Sequence, residues 1–81
     1  MVTKKKQKVV GKYIVLLMEW WETGGYNGKP RFFKDAEVSV HLKGKEKGLQ
    51  RRENYASYGE ARRVYSSLNT QKKIEEWIRS E

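Results

Sequence analysis

The sequence predicts an α+β domain: a small antiparallel sheet of two or three strands packed by one or two C-terminal helices, in the order β-β-(β)-α-α. Three observations carry this prediction. Residues 35–43 alternate strictly between polar and apolar side chains, the period of a strand with one buried face. Residues 58–68 repeat apolar side chains at helical spacing behind a capping serine. The chain has 81 residues, enough for one domain with a modest core.

The elements follow in order. Residues 1–8 read as a basic flexible tail, because Lys4, Lys5, Lys6 and Lys8 crowd into it and a terminus is ordered only where something holds it. Residues 9–81 then form the single domain. Residues 12–22 read as a strand that is apolar on both faces, with Tyr13, Val15 and Leu17 on one and Ile14, Leu16 and Met18 on the other. Residues 23–30, TGGYNGKP, form a loop rich in residues that tolerate positive φ. Residues 31–43 make the second strand, with Ala36, Val38, Val40 and Leu42 inward and Asp35, Glu37, Ser39, His41 and Lys43 outward. GKEKG, residues 44–48, has hairpin-turn composition, and residues 49–55 are polar enough for a third strand at the sheet edge. Ser57 and Glu60 form a capping box for a helix whose stripe is Tyr58, Ala61, Val64, Tyr65 and Leu68. Thr70 caps a second, shorter helix over residues 71–79, with Ile74, Trp77 and Ile78 on one side. The expected core is Ile14, Leu16, Met18, Val38, Val40, Leu42, Ala61, Val64, Tyr65, Leu68, Trp77 and Ile78.

Composition narrows the function. There is no cysteine, which excludes disulfide scaffolds, cysteine-ligated zinc and thiol catalysis, and suits a reducing, cytoplasmic location. No apolar run is long enough to span a membrane, and residues 1–8 lack the apolar segment of a signal peptide. Ten aromatic side chains argue against disorder. The net charge is +8, concentrated in residues 1–12 and 29–52, and points to a polyanion or an acidic protein surface.

Catalytic and metal-binding constellations are weak. Glu37, Ser39 and His41 share the wet face of one strand, but alternate strand residues lie ~6.7 Å apart and serine is short. Asp35 with Glu37 lacks the further carboxylates and the fixed lysine of a metal-dependent nuclease. Glu75 and Glu76 are balanced by neighbouring bases, and no phosphate-cradling glycine motif occurs. The chain is therefore expected to be non-enzymatic, without metal or cofactor.

Two stretches interleave aromatics with bases: residues 26–34, YNGKPRFFK, and residues 51–65, RRENYASYGEARRVY. Aromatic faces stack on bases while Arg and Lys meet phosphates, so this mixture suits RNA or DNA. The expected contacts are Lys4, Lys5, Lys6, Lys8, Lys29, Arg31, Lys34, Arg51, Arg52, Arg62 and Arg63. Trp20 and Trp21 are adjacent on a strand and must face opposite sides, so one of them, with Tyr26, is an interface candidate. The alternative reading is a small protein-binding inhibitor or adaptor, phage- or mobile-element-encoded in style, that docks on an acidic protein surface through these aromatics.

The run Ser57 to Arg62, SYGEAR, after a strand-rich basic region is similar to the start of the last helix of double-stranded RNA-binding domains. That family's first helix has no counterpart here, and Tyr58-Gly59 stands where its lysine cluster would be. No RNA-binding residue is carried over from the resemblance.

Overall fold

A four-stranded antiparallel meander, with two helices packed on one of its faces, is the architecture of the computed structural model. The structure describes residues 2–24, 30–45 and 48–80, without the side chains of residues 30 and 31. The strands are β1 (Val2–Val10), β2 (Tyr13–Thr23), β3 (Pro30–Leu42) and β4 (Leu49–Tyr55), and the helices are α1 (Tyr58–Ser67) and α2 (Gln71–Arg79). The sheet order is β1-β2-β3-β4, so every strand pairs with its neighbour in sequence.

The strand beyond the two or three predicted is β1, formed by the residues expected as a flexible tail. It pairs with β2 along its whole length, from Val2 opposite Trp21 to Val10 opposite Tyr13. The hairpin is closed by Gly11-Lys12. Gly11 has φ +59° and Lys12 has none of this character, as a II′ hairpin turn requires of its first and second residues. A lysine-rich edge strand shows no apolar alternation, because both of its faces reach water at the sheet margin.

β2 supplies the centre of the core through Tyr13, Val15 and Leu17, which pack with Val40 and Val38 of β3, Ala61 of α1, Leu68 at its C-cap and Ile74 of α2. This corrects the expected core. Ile14, Leu16 and Met18 lie on the opposite side of β2, half-buried and away from the core cluster. Val38, Val40, Ala61 and Leu68 are buried as expected, and Leu42, Val64, Tyr65, Trp77 and Ile78 pack at the core margin. The register decides the matter, since it sets Val15 opposite Val40 and Leu17 opposite Val38, while Ile14, Leu16 and Met18 face His41, Ser39 and Glu37.

A shift in register adjusts the far end of this ladder. Trp20 pairs with Asp35, but Trp21 pairs with Phe33, so Lys34 is bulged out. One extra residue inverts the pleat, and Phe33 rather than Lys34 comes to the helix side beside Trp21. Trp21 then lies under the start of α1 while Trp20 covers the other face.

The helix caps fall where predicted. The Ser57 hydroxyl accepts from the Glu60 backbone amide at 3.4 Å, and Thr70 accepts from that of Lys73 at 3.2 Å. Helix α2 crosses the end of the sheet. Near its start the Gln71 carboxamide accepts from the Lys12 amide (3.3 Å), midway Glu75 accepts from the Tyr13 hydroxyl (3.1 Å), and near its end Arg51 of β4 donates to the Trp77 carbonyl (2.6 Å).

Gly11 therefore serves both the hairpin and the seat of α2, for a Cβ there would collide with the Gln71 side chain. Gly11→Ala is expected to lower stability by about 1–2 kcal/mol from the left-handed backbone alone. The denaturant midpoint checks this, and in a Gln71→Gly background the same substitution should still cost the backbone part while losing the steric part.

Candidate nucleic-acid interface

The helix side of β1 carries Lys4, Lys6 and Lys8 in one line, opposite Glu19, Leu17 and Val15. Alternate strand residues are ~6.7 Å apart, so the three lysines leave the strand at even intervals. The lysines are held differently. The Lys4 ammonium sits 4.9 Å from the Trp21 ring centre, and that of Lys8 sits 4.4 Å from the Tyr65 ring. Lys8 also donates to the Tyr65 carbonyl at 2.6 Å, and burial pushes its ammonium below the usual lysine value. In both cases the charged head itself lies over an aromatic face. Lys6, between them, is exposed and makes no ion pair or hydrogen bond among the described residues.

An aromatic cluster ends the line. Trp21, Phe33 and Tyr58 stand with ring centres 5.4 Å apart in each pairing. Tyr58 stays 44% exposed, whereas Phe32, paired with Glu22, falls on the opposite face of the sheet. Arg63 on α1 is exposed and unpaired among the described residues.

Below the cluster lies a carboxylate. Glu19 is 3% exposed in the middle of the sheet. Arg62 binds it through two nitrogens, Nε at 2.7 Å and Nη2 at 2.8 Å, and the Trp21 indole donates to it at 3.0 Å. The Arg62 hydrogen bonds hold the Glu19 carboxyl below its ordinary range against the opposing pull of burial. Arg62 also lies 4.8 Å from the Tyr58 ring, so one guanidinium ties α1 to β2 and stacks on the exposed cluster.

The other predicted bases are distributed as follows. Arg51 is structural in its contacts: besides the Trp77 carbonyl it donates to the Ser80 hydroxyl at 3.0 Å, pairs with Glu53 at 3.2 Å and stacks 4.2 Å from the Trp77 ring. This closes the C-terminal end of α2, where a cation is favoured. Arg52 pairs with Glu37 at 2.9 Å on the opposite sheet face, and Lys34 pairs with Glu22 at 3.3 Å. Lys5 and Trp20 also lie on that opposite face. Lys29, Tyr26 and the Arg31 side chain lie outside the described residues. Sequence reasoning took Tyr65 as core alone and missed that Lys8 rests on it. A contact across 57 residues leaves no local signal.

Ser39 and His41 do meet, with the hydroxyl 3.1 Å from Nε2, closer than strand spacing suggests. Ser39 is 3% exposed, and Glu37 is turned to Arg52 rather than to the imidazole. No group of three or more metal-ligating side chains occurs among the described residues. A shallow open depression lies between Tyr13, Gln50, Glu75, Ile78 and Arg79. No helix among the described residues is long and apolar enough to cross a membrane.

Comparison with protein-family models, with curated proteins and with solved structures finds no match. The geometry of the chain is thus the whole basis for a functional reading.

The Glu19–Arg62 pair yields a stability prediction. Arg62→Ala leaves a buried carboxylate unpaired. The loss at neutral pH should be about 2 kcal/mol, short of the 3–5 kcal/mol typical of a fully buried pair because the Arg62 side chain is 47% exposed. Glu19 has its folded pKa lowered, so its contribution is full above the ordinary glutamate value and is lost as pH falls through the folded value. Denaturation at pH 7 and pH 3 should show the gap between wild type and Arg62→Ala narrowing in acid. An equal gap at both pH values would place its origin in packing, not charge.

Proposed function

We propose that the chain is a non-enzymatic nucleic-acid-binding module whose contact surface is the Lys4–Lys6–Lys8 line with the aromatic cluster at its end. The observation that carries the reading is the line itself. Three cations stand at regular spacing on one side of a strand with no acidic residue, and Lys6 and Arg63 are unpaired among the described residues. A regular row of cations suits a regular polyanion, and counterion release supplies the driving force. The exposed ring of Tyr58 beside the row offers a face on which an unpaired base stacks, which favours single strands or loops over duplex.

Fluorescence anisotropy with a labelled single-stranded oligonucleotide over a salt series tests this. Log affinity should fall linearly with log salt, by roughly 0.7 per contacted phosphate on a single strand. Changing Lys4, Lys6 and Lys8 together to Gln should reduce the slope by about 2, three such contacts, and weaken binding, while Lys6→Gln alone removes about one contact. Arg51→Gln should leave the slope unchanged. Absence of oligonucleotide binding at low salt, with polyglutamate bound instead, would give the lysine row to an acidic protein surface.

A further inference from the structure

The side of β2 turned away from the helices bears Ile14, Leu16, Met18 and Trp20 in an unbroken column. Each is only half-buried, none belongs to the core cluster, and no described element lies over them. A column of four large apolar side chains is unlike the singly scattered apolar residues of an ordinary surface. It fits poorly with nucleic acid. Three of the four are aliphatic, and Asp35 and Glu37 run alongside.

The rows across this face have a definite composition. The pairing gives Val9–Ile14–His41, Gln7–Leu16–Ser39, Lys5–Met18–Glu37 and Thr3–Trp20–Asp35 from β1 through β2 to β3. The basic residue is on the β1 side and the acidic residues are on the β3 side. A two-fold axis laid above β2 and parallel to it sets the apolar column against itself. The same operation exchanges the β1 and β3 columns without changing their height. Lys5 of one copy then meets Glu37 of the other, Thr3 meets Asp35, Gln7 meets Ser39, and Val9 covers the His41 ring. Lys5 has no ion pair among the described residues, and the Glu37 carboxylate, which pairs with Arg52 at 2.9 Å, takes it as a second cation.

We infer that the chain pairs with a second copy through this face, as two stacked sheets about 10 Å apart. The interface is isologous, each residue of one copy answering its counterpart. Lys4, Lys6 and Lys8 point to the other side of β1 and stay open in the pair, so this inference stands apart from the nucleic-acid reading.

Sedimentation equilibrium over a concentration series up to about 1 mM, the weak limit of useful affinity, tests the pairing. The full chain is expected at twice its 9.6 kDa mass. Met18 faces Met18 across the axis, so Met18→Lys and Met18→Glu should each weaken pairing at least ~30-fold, as loss of a central contact does. Mixed in equal amounts, the two variants should recover the dimer. Lys5→Glu should also weaken it. Because position 18 is half-exposed, both variants should keep the wild-type circular dichroism and melting, and unfolding of one leaves Lys5→Glu as the test. A wild-type monomer throughout the series overturns the inference, as does a dimer that survives Met18→Lys or a mixture that stays monomeric. The Lys4, Lys6 and Lys8 to Gln variant should dimerise normally, which separates this outcome from failure of the nucleic-acid reading.

Discussion

Two short helices can cover only one face of a four-stranded sheet, and the register between β2 and β3 decides which. β2 is apolar on both sides, so it has no preference of its own. β3 has one: Ala36, Val38 and Val40 point one way, and Asp35, Glu37, Ser39 and His41 the other. Pairing Val15 with Val40 and Leu17 with Val38 joins two apolar faces and leaves the second face of β2 bordered by polar residues. The helices follow that face, and Glu19 in its middle is tolerable only because Arg62 and Trp21 occupy its oxygens. Placement of the lysine row, the aromatic cluster and the open apolar column all derive from this one choice of parity.

The parts legible in the sequence are those whose signal is local. The alternation in β3, the caps at Ser57 and Thr70 and the extent of α2 are written within a few residues and appear in the structure as read. The choice between the Tyr13–Val15–Leu17 face and the Ile14–Leu16–Met18 face was not legible, because it depends on the number of residues in the connecting loop and on bulges. The bulge at Lys34 is a case in point, since it moves Phe33 to the helix side against the simple alternation. β1 escaped for another reason. Its order comes from hydrogen bonds to β2 and from lysine ammonium groups over the rings of Trp21 and Tyr65, and none of these partners is near in sequence.

The same distinction applies to charge. Counting bases gave eleven candidate contacts, but a guanidinium is as useful inside a fold as outside it. Arg51 closes a helix and Arg62 neutralises a buried acid, whereas Lys6 and Arg63 do neither. Arginine takes the structural posts because its planar fork binds two acceptors at once, while lysine is a point charge on a flexible stem. Regularity along one strand, not the sum of charge, distinguishes a surface that matches a polymer.

The meander also orders assembly. Each strand pairs with its chain neighbour, so the three hairpins close short loops with small entropic cost. Helix α2 differs, for its bonds to Lys12 and Tyr13 join residues about sixty positions apart. Those bonds are favourable only once the sheet has already brought the two ends of the chain near each other. α2 is thus the latch of the domain rather than its seed, and in reverse it is the segment whose release uncovers the base of the core around Ile74 while the hairpins still stand.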